Sequence, residues 1–242
     1  MIINSSDPKF EVISENLKHI RDDLASAAIS SGRNPDDVRL MAVTKTVSVE
    51  YINHAITNCG IDLIGENKVQ EYLSKKDSLV LNGVEKHLIG HLQTNKVKKI
   101  VTEVDMIQSV DSLKLAKFIS DEAVKNGIEA NVLLEVNIGE EDNKTGFDKV
   151  AFFESLESIA ELPSLKVKGL MTIPPICDSS LVLERYFSTM NEYFNEIKEK
   201  HFNNIDFEVL SMGMSGDYKE AVLHGSNLVR IGSAIFGARI YK

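Results

Sequence analysis

The chain alternates short apolar runs with longer segments of helical periodicity, and it does so eight times. Each run is the kind found in strands that are buried on both faces of a sheet. The runs lie at Arg39–Lys45, Ile61–Ile64, His87–Leu92, Met106–Val110, Ala130–Ile138, Leu165–Ile173, Phe207–Met212 and Leu228–Ile231. Strands that alternate with helices pair in parallel through right-handed crossovers, and eight of them favour a closed barrel over an open sheet. The pattern therefore predicts an α/β fold, a (β/α)8 TIM barrel. Because no linker interrupts it, residues 1–242 are predicted to form one domain.

An additional helix is predicted before the first strand. Asp7 and Pro8 form a helix start, and apolar residues then recur at spacings of three and four until Gly32. After the eighth strand only Phe236–Lys242 remains, which is too short for a full outer helix. We therefore expect the N-terminal helix to take the eighth place on the outside of the barrel.

Composition excludes several function classes. The formal net charge of -9 opposes binding to nucleic acid or to an acidic membrane, and no segment has the apolar length of a membrane span. The start, MIINSSDPKFE, lacks the features of a signal peptide, so we expect a cytoplasmic protein. Cys59 and Cys177 are too few for a disulfide framework or a zinc cluster, and Glu140–Asp142 lacks the spacing of a calcium loop, so no metal is predicted.

The carboxyl ends of the predicted strands converge on one mouth of the barrel, where barrels place their chemistry. Lys45 closes the first strand, and its primary amine is able to condense with an aldehyde. The alternative is a solvated lysine that merely ends a strand, which is the commoner case.

Two turns near the end of the chain predict a phosphate site. SMGMSG begins at Ser211 after the seventh strand, and Arg230 is followed by Ile, Gly232 and Ser233 after the eighth. Glycine lets the backbone approach an anion, and the two serines add hydroxyl donors at a place where barrels often bind phosphate. The alternative is that the glycines only make tight turns and the serines cap helices.

A lysine and a phosphate cradle at the same mouth indicate a ligand that has both an aldehyde and a phosphate, namely pyridoxal 5'-phosphate (PLP). Lys45 would hold PLP as an aldimine, and Arg230 would point into the mouth as a permanent cation. An arginine facing the pyridine nitrogen disfavours protonation of that nitrogen, so the ring would be a weaker electron sink. His91 is open to two interpretations, a residue that faces the ligand or a structural, solvated histidine.

Several motifs, in this order, resemble the pyridoxal phosphate homeostasis proteins, which are relatives of the alanine racemase N-terminal barrel. The motifs are AVTKT (42–46), IGENKVQE (64–71), HLIGHLQTNK (87–96), EVNIGEEDNKTGF (135–147), KGLMTIPP (168–175), LSMGMSGD (210–217) and VRIGSAIFGAR (229–239).

The resemblance implies a role for each matching residue. It implies that Lys45 carries the Schiff base and that Asn67 lies beside the cofactor. It also implies that Arg230 addresses the ring nitrogen. The residues that hold the phosphate are implied to be Ser211, Gly232 and Ser233. Met171 and His91 lie in matching motifs and are further candidates. Ser233 stands where the family often has threonine, which keeps the hydroxyl.

The resemblance also bears on activity. Alanine racemases add a β-domain whose tyrosine supplies a second acid/base, whereas this chain stops just after its eighth strand and shows no such group. We therefore predict no catalytic residues and a protein that holds PLP, takes part in its homeostasis and delivers it to apo forms of PLP enzymes, as a monomer. The alternatives are an amino-acid racemase or lyase of low activity, and a barrel that binds phosphate sugars and has an incidental lysine.

Overall fold

The computed structural model describes residues 7–141, 143–177, 179–200 and 202–238. Eight strands form one sheet in which every neighbouring pair is parallel, and β1 pairs with both β2 and β8. The sheet is therefore a closed barrel, and the predicted fold class is confirmed. The strands are β1 (Arg39–Val43), β2 (Leu63–Glu66), β3 (Glu85–Leu88), β4 (Met106–Val110), β5 (Ala130–Glu135), β6 (Leu165–Met171), β7 (Ile205–Ser211) and β8 (Leu228–Ile231).

Helices connect the strands on the outside of the barrel. Within the described residues they are α1 (Pro8–Ser30), α2 (Val49–Thr57), α3 (Val69–Lys75), α4 (Leu113–Asn126), α5 (Lys149–Ala160), α6 (Ser180–Lys198), α7 (Tyr218–Leu223) and α8 (Ser233–Phe236). None of them is long and apolar enough to span a membrane. The largest apolar cluster joins α4, α5 and α6 to the strands from β3 to β7.

The connection between β3 and β4 differs from the predicted one. The strand was expected over His87–Leu92, but it begins at Glu85 and ends at Leu88, and the segment after it forms a short 3-10 helix, Thr94–Lys99. Gly90 lies beyond the end of the strand and packs against the backbone of Asn67. The helix α4 is capped by Ser112, whose hydroxyl accepts a hydrogen bond from the Leu115 N–H.

The N-terminal helix occupies the predicted outer position. Asp7 caps it by accepting a hydrogen bond from the Lys9 N–H, and Pro8 is its first residue. Its buried face packs with apolar residues of β1, β8, α2, α7 and α8, including Ala42, Val229 and Phe236. This confirms that α1 covers the place where the barrel closes. Residues 239–242 of the segment after α8 lie outside the described residues.

Candidate functional site

A cavity of about 250 Å³ opens at the carboxyl ends of the strands. Five of the eight predicted site residues line it, namely Lys45, Asn67, Arg230, Gly232 and Ser233. The other lining residues are Val43, Ile89, Ile173, Met214, Ser215 and Gly216. The closed barrel thus brings together side chains that are nearly two hundred positions apart in the sequence. Lys45, Gly232 and Ser233 also line an adjoining cavity of about 230 Å³.

Lys45 reaches the cavity because β1 ends two residues before it. The preceding Thr44 is buried, and its hydroxyl donates to the Gly65 carbonyl at 3.2 Å and to Glu66 Oε2 at 3.1 Å. The following Thr46 has a φ of 64°, in the left-handed region that residues other than glycine seldom adopt. The chain therefore turns sharply at Lys45, and the turn presents the side chain to the barrel mouth.

Asn67 follows β2 on the neighbouring strand. Its side-chain Oδ1 is buried and has no hydrogen-bond partner among the described residues. A buried polar atom without a partner is costly, so an unused acceptor in a cavity wall indicates a missing donor. Gly90 packs directly against the Asn67 backbone, since a Cβ atom on Gly90 would lie 2.2 Å from the Asn67 carbonyl oxygen. Only glycine lets this segment approach so closely.

Arg230 lies on β8 and is almost completely buried. Its Nη1 donates to Ser211 Oγ at 2.7 Å and its Nη2 donates to the Thr172 carbonyl at 2.8 Å. Burial lowers the pKa of the guanidinium to about 10, against the opposing influence of Asp217 and Glu135, and this still leaves the group charged at neutral pH. Arg230 is thus a fixed cation in the cavity wall.

The Arg230 guanidinium stands at one end of a buried hydrogen-bonded chain across the barrel interior. Ser211 Oγ accepts from Arg230 and donates to Gln108 Oε1 at 2.8 Å, and Gln108 Nε2 lies 2.8 Å from His87 Nδ1. Because Gln108 Nε2 is a donor, His87 Nδ1 accepts and the ring proton is on Nε2. That nitrogen is buried, without a hydrogen-bond partner among the described residues, and 3.6 Å from Glu85 Oε1.

Ser211 was predicted to hold a phosphate, but its side chain faces the barrel interior and is not among the residues that line the cavity. Its hydroxyl is fully buried and already bonded on both sides. Sequence reasoning did not find Gln108, which lies inside an apolar strand. A polar residue in such a run is the signal that points to a buried hydrogen bond.

The turn after β7 does contribute a serine to the cavity, at Ser215 instead of Ser211. Its Oγ accepts from the Ala234 N–H at 3.2 Å, which joins this turn to the start of α8 beside Gly232 and Ser233. A Cβ atom on Gly232 would lie 3.3 Å from Val43, so this position is also tightly packed. Two hydroxyl-bearing residues, Ser215 and Ser233, thus line the cavity from two turns beside Gly232, and hydroxyl groups are donors that a phosphate accepts.

Besides Ser211, two more predicted residues lie apart from the cavity lining. Met171 ends β6 and is buried in a small interior cluster with Met106 and Leu133. The His91 side chain is about half exposed, at 52%, and its Nδ1 lies 2.9 Å from Asp111 Oδ2. The described residues contain no cluster of three or more histidine, cysteine, aspartate or glutamate side chains arranged for a metal ion. The cavity therefore offers a primary amine, a fixed guanidinium, an unused amide oxygen and an anion cradle.

Comparison with known proteins gives concordant results. The model of the family described as "Alanine racemase, N-terminal domain" matches residues 15–240. The pyridoxal phosphate homeostasis protein of Aquifex aeolicus is 40% identical over 227 residues, covering 94% of this chain and 98% of that protein. The protein of the same name from Escherichia coli K12 is 37% identical over 233 residues, covering 95% and 98%. The structure of PipY from Synechococcus elongatus, with PLP bound, aligns with a TM-score of 0.81 and 30% identity, covering 93% of this chain and all of that one.

Proposed function

The chain belongs to the alanine racemase N-terminal domain family and, within it, to the pyridoxal phosphate homeostasis proteins, and from that premise we propose that it binds PLP covalently at Lys45 and takes part in PLP homeostasis. The observation that carries the proposal is one cavity lined by Lys45, Asn67, Arg230, Gly232 and Ser233. A relative that covers this chain almost end to end has PLP bound.

The cavity residues fit the chemical groups of PLP. When bound, PLP supplies an aldehyde that condenses reversibly with a primary amine and releases water. Lys45 provides that amine, and Ser215, Gly232 and Ser233 provide donors for the phosphate. The unpartnered Oδ1 of Asn67 provides an acceptor beside them. Arg230 is held rigidly by Ser211 and Thr172 and stays charged. Facing a ring nitrogen, it would donate to that atom and disfavour its protonation, which would weaken the ring as an electron sink and suit holding the cofactor.

The covalent assignment is tested with purified protein and PLP. The wild type should show the absorbance band of a lysine adduct, and borohydride should make that adduct irreversible. Peptide mapping after reduction should place it at Lys45. The Lys45→Ala variant should lose the adduct, whereas Lys98→Ala, at an exposed lysine on the 3-10 helix, should keep it. If the wild type shows no band, or if the reduced adduct maps elsewhere in the wild type, the assignment fails.

A low-activity amino-acid racemase or lyase is the second candidate, because the matching family model is that of alanine racemase. Such chemistry needs a second proton carrier near the substrate. Among the described residues that line the cavity, no tyrosine, histidine, aspartate or glutamate accompanies Lys45. We therefore expect no exchange of α-protons for deuterium above that of free PLP across a panel of amino acids. Exchange that depends on Lys45 would instead support an enzyme.

We further propose that the protein delivers PLP to apo-enzymes. We also propose that it is a monomer and that it acts in the cytoplasm. Loaded protein and an apo-enzyme would be compared across a dialysis membrane and in direct contact. Faster transfer in contact supports handover between proteins, and equal transfer argues against it. Sedimentation of the loaded protein alone measures its mass in solution and tests whether it is a monomer.

A further inference from the structure

A cluster of charged side chains lies behind Lys45, on the side away from Arg230. Lys75 is the last residue of α3, and its Nζ lies 2.6 Å from Glu71 Oε1 and 3.4 Å from Glu66 Oε2. All three side chains are largely withdrawn from solvent, with exposed fractions of 14% for Lys75, 21% for Glu71 and 3% for Glu66. The motif IGENKVQE (64–71), which contains Glu66 and Glu71, was singled out in the sequence only for Asn67.

The cluster holds the peptide groups on both sides of Lys45. Lys75 Nζ donates to the Thr44 carbonyl at 3.0 Å, and this carbonyl belongs to the peptide that precedes Lys45. Glu71 Oε1 accepts from the Thr46 N–H at 2.6 Å, and this N–H belongs to the peptide that follows Lys45. The left-handed φ of Thr46 is unfavourable by itself, so these contacts offset its cost.

Glu66 joins the same cluster to Asn67. One of its carboxylate oxygens accepts from the Thr44 hydroxyl at 3.1 Å, and the other accepts from the Asn67 N–H at 2.9 Å. Burial raises the pKa of Glu66, and the charge of Lys75 opposes that rise. Burial also acts to raise the pKa of Glu71, but the hydrogen bonds from Lys75 and from the Thr46 N–H outweigh it and lower the pKa. The cation of Lys75 thus favours the ionised form of both carboxylates.

We propose that Lys75, acting with Glu66 and Glu71, is a positioning residue that aims the Lys45 amine at the cofactor aldehyde. This rests on the proposed function. An ion cluster that merely stabilised α3 would have no reason to bind the two peptide groups that flank Lys45 and the backbone of Asn67. The role predicts a selective defect: loss of Lys75 should impair bond formation at Lys45 more than it impairs the contacts that β8, α8 and the turn after β7 would make to the ring and phosphate.

The test compares PLP with pyridoxine 5'-phosphate, which has a hydroxymethyl group in place of the aldehyde and cannot react with an amine. In Lys75→Met, affinity for PLP and the rate of adduct formation should fall about tenfold to a hundredfold, because misplaced reacting groups lose rate steeply. Affinity for pyridoxine 5'-phosphate should change less than about threefold, as expected when a substitution leaves the contacts of a ligand in place. Lys75→Arg should recover part of the loss.

The matched control is Lys76→Met. Lys76 is the next residue, and it pairs with Glu103 at 2.7 Å on the outside of the barrel, away from Lys45. This variant loses an ion pair of the same type and should bind both ligands as the wild type does. Circular dichroism checks the fold of every variant. If Lys75→Met does not fold, Glu71→Ala removes the acceptor of the Thr46 N–H and should show the same selective loss.

The outcomes separate the two proposals. Unchanged binding of PLP by a folded Lys75→Met protein overturns the positioning role, and so does an equal loss for both ligands, which indicates a general structural effect. If the folded wild type binds pyridoxine 5'-phosphate but forms no adduct with PLP at Lys45, the proposed function fails first, and the positioning role fails with it. A selective loss in Lys75→Met, absent in Lys76→Met, supports the role.

Discussion

The two cationic residues of the cavity are held in opposite ways. Arg230 is fixed through its side chain, because its guanidinium is buried and bonded to Ser211 and Thr172. Lys45 is fixed through its backbone, because Lys75 and Glu71 bind the peptide groups on either side of it. One wall of the cavity therefore positions a charge, and the other positions a point of attachment.

This difference suits the work proposed for each residue. A group that faces a ring nitrogen has to stay in one place, and several hydrogen bonds in a dry interior achieve that. An amine that forms and breaks a bond with a ligand has to move, so a rigid backbone below a stem of rotatable bonds serves it better. A cofactor-holding protein can thus combine a rigid binding wall with a reversible bond.

Substitution of the two cations by methionine tests the comparison most strongly. Arg230→Met leaves the Thr172 carbonyl without its side-chain donor and removes a buried charge that Asp217 and Glu135 face, so we expect a loss of about 3 kcal/mol in unfolding free energy. Lys45→Met keeps the aliphatic stem and should cost less than about 1 kcal/mol. Urea unfolding of both variants measures the difference. Equal losses would show that the two walls are held alike.

The buried chain behind Arg230 is tested by Gln108→Leu. The change removes the acceptor of the Ser211 hydroxyl and the donor to His87 Nδ1, so two buried polar groups lose their partners. We expect a loss of about 2 kcal/mol in unfolding free energy and weaker PLP binding, because Gln108 no longer orients the Ser211 hydroxyl that accepts from Arg230. Asn131→Leu, at a polar residue on β5 whose amide bonds the Asp105 carbonyl near the surface, is the control and should cost much less. If Gln108→Leu has the stability and the PLP affinity of the wild type, the buried hydrogen bonds behind Arg230 contribute to neither.

Glu85, which lies beside the His87 end of these buried hydrogen bonds, should make the unfolding free energy depend on pH in the acid range. His87 and then Arg39 hold the pKa of Glu85 at about 2, well below its ordinary value of 4.5. A carboxyl whose pKa is lowered by folding contributes stability above its unfolded pKa, and that contribution is lost as the pH falls from about 4.5 towards 2. Glu85 is partly exposed, so we expect only about 1 kcal/mol at neutral pH after screening by solvent.

The measurement is urea unfolding of wild type and Glu85→Gln between pH 7 and pH 3. The variant should be less stable at pH 7, and the difference should shrink once the pH is below about 4.5. Glu129→Gln, which removes an exposed ion pair with Lys166, serves as the control. A difference in unfolding free energy between Glu85→Gln and wild type that is the same at every pH would contradict the prediction.

The sequence by itself determined the order of strands and helices, because hydrophobic periodicity reports which faces are buried. It also determined which residues stand at the carboxyl ends of the strands, and therefore that Lys45, Asn67 and Arg230 share one mouth. These inferences needed only the position of each residue along its strand. The place of α1 followed from the number of strands, since the seven connections between eight strands leave one outer position of the barrel uncovered.

The tertiary structure decided what each side chain near the mouth touches. Ser211 ends β7 and Ser215 lies in the turn that follows it, and only the closed barrel shows that the first bonds Arg230 in the interior and the second lines the cavity. Gln108 joins Ser211 across non-adjacent strands, and Lys75 reaches back over thirty residues to the carbonyl of Thr44. Such contacts join residues that are far apart in the chain. Their existence depends on the register and twist of the strands, which periodicity alone does not fix.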